Sequence, residues 1–157
     1  MLFQSKNLWV IMDMIKGRPE RPSYIDGRLP YVDPQLRHFD PALPKFPSED
    51  EYNEGSFDSL KVHPTYYDTD YNRHVNNISY IVWLMESFPH EYLDHNLPEF
   101  FDVEWKKQCH LGDEIRVETK KKENSEEYYT KILRKCEDGS EEIAFHGITR
   151  WRKRALD

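Results

Sequence analysis

Residues 68–77 read DTDYNRHVNN, and the stretch that follows, ISYIVWLME, is mostly apolar. Asp70, Asn72 and His74 alternate, so in an extended segment all three would point to one side. Asn76 or Asn77 would then cap the helix that begins there. A helix N-terminus adds unpaired N–H groups and the positive end of the helix dipole. Those parts suit acyl hydrolysis. A carboxylate can orient or deprotonate water. An Asn amide and backbone N–H groups can hold an oxyanion. A His can polarise a carbonyl or protonate a leaving group. The same cluster also reads as helix capping with no chemistry attached. A calcium loop is disfavoured, because the Gly and distal Glu of an EF-hand loop are missing.

Elements must position these groups. The pattern predicts a strand over 59–66, with Pro64 marking an edge or bulge, and a helix over 77–87. That helix reads as apolar almost all round and therefore buried; Pro89 closes or kinks it. Four strands follow, over 99–107, 114–122, 127–136 and 141–153. Phe101, Val103 and Trp105 share one face, as do Ile115, Val117 and Thr119; Tyr128, Thr130 and Ile132; and Ile143, Phe145, Gly147, Thr149 and Trp151. Leu111-Gly112-Asp113, Asn124-Ser125 and Asp138-Gly139 are turn signals, so the strands should form antiparallel hairpins. The expected class is α+β, with one long buried helix against a curved antiparallel sheet.

The rest of the chain is composed differently. Eight of the ten prolines precede Thr65, and residues 17–58 read as a Pro-punctuated connector. So long an irregular segment is more at home between domains than inside one. Before it, SKNLWVIMDM reads as a strand apolar on both faces. It either closes a preceding domain or joins this domain's own sheet. The net charge of −7 opposes a general nucleic-acid binder, although Arg150, Arg152, Lys153 and Arg154 form a local basic run. Two cysteines, Cys109 and Cys136, no secretory leader and no membrane-spanning apolar run point to a reduced, cytoplasmic setting. The seven His lack zinc-type spacing, so no metal is assigned.

The segment DTDYNRHVNNISYIVWLMES resembles the acyl-ACP thioesterases of plants and bacteria. Their C-terminal half carries D-x-N-x-H-V-N-N-x-x-Y-x-x-W-x-x-E-S at a hot-dog helix. Asp70, Asn72, His74, Val75, Asn76, Asn77, Tyr80, Trp83, Glu86 and Ser87 match it position by position. The family places a Glu-Cys pair at the end of the next strand; here WKKQC supplies Cys109 but puts Gln108 in place of the acid. The resemblance implies a hot-dog fold and division into three parts. Residues 1–16 would be the closing strand of a missing first hot-dog domain, 17–58 the inter-domain connector, and 59–157 the thioesterase domain.

It also implies roles. Asp70 is the base or orienter of water, with Asn72 and His74 on the thioester carbonyl or the water. Cys109 is either a nucleophile activated by His74 or a small buried apolar group. Gln108 can hydrogen-bond but cannot take a proton, which implies reduced rather than absent activity. The partner is an acidic acyl carrier protein, with Arg150, Arg152, Lys153 and Arg154, joined by Lys120–Lys122, as landing residues. Water is the co-substrate and no cofactor is required. Two alternatives remain. One is a hot-dog acyl-CoA thioesterase. The other is an inactive fragment that acts by binding or self-association, where a second copy could pair with a free sheet edge to make a homodimer.

Overall fold

Alternating strands separated by short turns leave one apolar face to bury, and a helix covers it. The structure, a computed structural model, describes residues 12–13, 15–16, 18–20, 45–57 and 59–155. The chain divides into two units, Met1–Lys45 and Phe46–Asp157. In the first, β1 (Met12–Asp13) pairs antiparallel with β2 (Arg18–Pro19). The Asp13 carboxylate closes the turn by accepting the N–H groups of Ile15 and Lys16 at 2.9 and 3.0 Å. The rest of the strand read in SKNLWVIMDM lies outside the described residues.

The second unit holds β3 (Glu54–Ser56), β4 (Leu60–Val62), α1 (Asn77–Glu86), α2 (His90–His95), β5 (Asn96–Trp105), β6 (Ile115–Lys121), β7 (Glu127–Lys135) and β8 (Glu141–Lys153). Among the described residues these strands form one six-stranded antiparallel sheet in the order β3-β6-β7-β8-β5, with β4 also on β6. α1 packs on the inner face. Tyr80, Trp83 and Leu84 meet Val117, Tyr128, Ile132, Phe145 and Trp151 in one buried cluster. Gly147 lets the helix approach: a Cβ there would stand 2.9 Å from Leu84 Cδ1 and 3.2 Å from Val103 Cγ1. Buried hydroxyls are paired with one another. Ser87 Oγ lies 2.6 Å from Thr119 Oγ1, which lies 2.7 Å from Thr130 Oγ1 across the β6–β7 ladder. The α+β hot-dog expectation is met.

Four details differ from the sequence reading. First, α1 is not buried all round: Ile78 and Val82, one turn apart, are 60% and 48% exposed. Second, the strand expected over 59–66 ends at Val62, and a capped 3₁₀ turn occupies Tyr66–Asp68. Pro64 has no N–H to continue the ladder. Third, Phe101 and Trp105 stay exposed although they share the inner face, because β5 is the edge of the sheet. Fourth, residues 46–57, read as the end of the connector, belong to this unit: Phe46 and Tyr52 pack on the outer sheet face, 54–56 form β3, and Phe57 joins the inner core. The Phe46 ring stacks 3.9 Å from that of His146, and Tyr52 is buried against Tyr129 with its hydroxyl donating to Glu127 at 2.8 Å.

Candidate active site

The segment carrying Asp70, Asn72 and His74 is not extended. It is a tight loop closed from within. Asp70 N–H donates to the His74 carbonyl at 2.8 Å, and Arg73 N–H donates to the Asp70 carbonyl at 3.0 Å. Asp70 Oδ1 accepts the N–H groups of Asn72 and His74 at 2.8 and 3.1 Å. Arg73 takes the left-handed conformation, with φ of 62°, to complete the reversal. Thr69 and Val75 bridge at the loop's neck. The one-sided alternation expected for Asp70, Asn72 and His74 is therefore corrected. An Asp that bonds its own backbone favours a turn over a strand.

The loop is anchored on both sides. Asp68 forms a capping box with Thr65, and its carboxylate accepts the Thr65 N–H and hydroxyl at 2.7 Å each. Burial opposes its ionisation, but the hydrogen bonds from Thr65 and from Ser79 outweigh that and hold its carboxyl below the ordinary 3.8. Asn76 caps α1, accepting the Ile78 N–H at 3.0 Å, while its own N–H donates to the Asp68 carbonyl at 2.7 Å. The positive end of α1 thus begins directly after the loop.

The segment after β5 comes alongside. Val75 N–H donates to the Cys109 carbonyl at 2.8 Å, and His74 bridges His110. Gln108 and Cys109 therefore adjoin the loop, as the sequence led us to expect. Gln108 is exposed, and its carbonyl accepts Arg134 Nη1 at 2.9 Å. Cys109 is 0% exposed, and its N–H donates to the Tyr80 hydroxyl at 2.9 Å. Burial pushes the Cys109 thiol up, against the hydrogen bond from Tyr80. Burial likewise pushes the Tyr80 phenol up. A thiol so placed is a packing group rather than a nucleophile.

His110 was not singled out from the sequence. Its ring sits edge to face with that of His74, centroids 5.2 Å apart and planes at 81°. The turn that follows holds it: Asp113 Oδ2 accepts the His110 N–H at 2.8 Å and lies 4.0 Å from His110 Nδ1. Gly112, with φ of 90°, makes that turn possible. The available signal was H-L-G-D itself, in which a turn Asp folds back three residues onto a His beside the site's Cys.

The basic residues lie elsewhere. In the β5–β8 register, Lys153 opposes Asn96 and Phe145 opposes Trp105. Lys153 is thus separated from the Trp105 end of β5 by about 30 Å of strand, and Arg150, opposite Phe100, by about half that. Arg150 is engaged, with Nε 3.1 Å from Glu127 Oε2 and its guanidinium over the Phe100 ring. Arg152, Lys153 and Arg154 are exposed. Lys120, Lys121 and Lys122 are corrected as landing residues. They pair with Glu49, Glu126 and Glu51 at 2.6, 3.0 and 3.0 Å, which cancels their field.

Comparison with known proteins bears on this geometry. The acyl-ACP thioesterase C-terminal domain family matches residues 51–153, which include the loop, Gln108, Cys109 and His110. Oleoyl-acyl carrier protein thioesterase 2, chloroplastic, of Arabidopsis thaliana is 28% identical over 135 residues, covering 73% of this chain and 36% of its own length. Acyl-[acyl-carrier-protein] hydrolase FATB2, chloroplastic, of Cuphea viscosissima is 33% identical over 104 residues, covering 64% and 25%. Among solved structures, the 12:0-ACP thioesterase from Umbellularia californica superposes with a TM-score of 0.64 at 19% identity, covering 91% of this chain and 53% of that one. An acyl-ACP thioesterase from Bacteroides thetaiotaomicron gives 0.61 at 19% identity, covering 90% and 53%. The chain spans about a third or less of the length of these curated relatives and about half of the solved chains. These likenesses in structure carry the hot-dog fold, and the sequence match over most of the chain places it in the acyl-ACP thioesterase C-terminal domain family.

Proposed function

We propose that this chain provides the thioester-hydrolysing domain of an acyl-ACP thioesterase. Water attacks the acyl carbonyl at loop 69–75, the C–S bond breaks, and a free fatty acid and the carrier thiol leave. The observation that carries this reading is the convergence of three parts. The loop bearing Asp70, Asn72 and His74, the N-terminus of α1, and the Gln108–His110 segment meet at one surface. Asp70 orients the water while holding the loop in shape. The Asn72 amide and the helix N-terminus face the developing oxyanion, and His74 polarises the carbonyl. Gln108 contributes an amide beside them. No cofactor enters this chemistry.

The substrate is an acyl chain on acyl carrier protein, and the setting is cytoplasmic fatty-acid synthesis. Arg152, Lys153 and Arg154 form the landing area for the acidic carrier, at the far end of β5 and β8 from the loop. In the wider domain plan, the thioesterase domain takes in residues from Phe46 onward. Residues 1–16 are the closing strand of a preceding domain, and the connector between them is shortened to end before Phe46. The test is the ratio of kcat/KM for one acyl group presented on the carrier protein and on coenzyme A. The proposal expects a preference of at least about tenfold for the carrier, worth about 1.4 kcal/mol of recognition. Equal use of the two, or preference for the CoA ester, would contradict the carrier assignment.

A further inference from the structure

We propose that His110 is the proton acceptor of the hydrolysis, an inference that rests on the thioesterase reading above. The site needs a group that can take a proton from water near neutral pH. Gln108 cannot do so. Cys109 is sealed from solvent. Asp70 spends one carboxylate oxygen on two N–H groups of its own loop. His110 is the remaining titratable group on the segment that lies against the loop, and its side chain is 48% exposed.

The geometry around His110 is that of an oriented base. Its backbone is fixed twice, by the bridge to His74 and by the 2.8 Å bond from its N–H to Asp113 Oδ2. The same carboxylate oxygen stands 4.0 Å from Nδ1, a separation that closes readily when substrate binds. A carboxylate on Nδ1 sets the tautomer and leaves Nε2 as the nitrogen turned away from it. The charged and titratable groups shown around His110 are Asp113 from its own turn and His74 from the loop, with Arg134 of β7 behind Asp113. The Arg134 guanidinium lies 3.9 Å from Asp113 and is itself tied to Glu142 of β8. The His74 and His110 rings pack edge to face, so the acceptor adjoins the imidazole assigned to the carbonyl.

The water oxygen bonds to the thioester carbon as its proton passes to His110 Nε2. The tetrahedral oxyanion forms against the Asn72 amide and the α1 N-terminus. It collapses with cleavage of the C–S bond, and the departing thiolate takes the proton back from the His110 imidazolium. One water is consumed, and one carboxylic acid and one thiol are formed.

The experiment is the pH profile of kcat for a long-chain acyl-ACP with the full chain, His110→Gln and Asp113→Asn. In the unmodified chain, kcat should rise with pH along a limb that reports the proton acceptor. His110→Gln should lower kcat about 100-fold and remove that limb. Asp113→Asn should keep the limb while kcat falls about tenfold with KM unchanged, because the ring loses the carboxylate that orients it. A His110→Gln chain within about threefold of the parent, or one that retains the limb, would overturn the assignment while leaving the thioesterase reading intact. Should that variant fail to fold, a kcat for Asp113→Asn within about twofold of the parent overturns it instead. Absence of turnover by the unmodified chain would overturn both readings together.

Discussion

Cys109 shows how strongly surroundings set chemistry at the level of one residue. Its identity and its place after β5 invite a nucleophile, yet it has no exposed surface and burial holds its proton in place. A thiol reagent should therefore label one cysteine per native chain, at the half-buried Cys136, and a second only on unfolding. Cys109→Ala should keep turnover of acyl-ACP within about threefold, since no covalent step passes through the sulfur. Rapid labelling of both thiols in the native chain, or a loss of about 100-fold in the variant, would point to a thiolate route. The residue types of the site were legible in the sequence, because an Asp, Asn and His ahead of a helix are an unusual outlay of polar groups. Their directions were not. Whether Asp70 faces a substrate or its own backbone depends on two N–H bonds that an alternating pattern cannot reveal. His110 escaped notice for a related reason: its partner His74 is brought to it by a strand-like bridge across 36 positions (110 − 74), not by spacing.

At the level of elements, β6, β7 and β8 could be read almost to the residue, since alternation at period two is what a half-buried strand imposes. The register shift between Ile132 and Leu133 was not readable; it leaves Ala144 of β8 without a residue opposite, and Ala144 and Phe145 are both buried where strict alternation would expose one. The helix was placed correctly, but its exposed face was not, because an apolar side chain at Ile78 or Val82 does not announce what covers it. The contact between α1 and β8 can be tested directly. Gly147→Ala would press a methyl group into Leu84, Val103 and Phe145. Overpacking of this kind should cost about 1–3 kcal/mol, read as a lower midpoint in urea unfolding with an unchanged slope. An unchanged midpoint would mean that the helix does not sit as close to β8 as described.

Across the whole second unit, charge and sheet edges are distributed in ways that local patterns do not encode. Lys120 of β6 and Lys122 just after it looked like a positive surface but are matched by Glu49 and Glu51 from a segment that read as connector. The sheet leaves β5 at one edge with Phe101 and Trp105 exposed, and α1 keeps Ile78 and Val82 uncovered. Apolar surface of this kind is ordinarily covered in a working assembly. No described helix is long and apolar enough to cross a membrane. On the proposed function, the loop closed by Asp70 hydrolyses an acyl thioester on a carrier protein. The most direct measurement is release of free fatty acid from a long-chain acyl-ACP by the purified chain, with Asp70→Ala assayed in parallel. The parent chain should turn over many times, and the variant at a rate at least about 100-fold lower. Equal rates for the two, or no release by the parent chain, would contradict it.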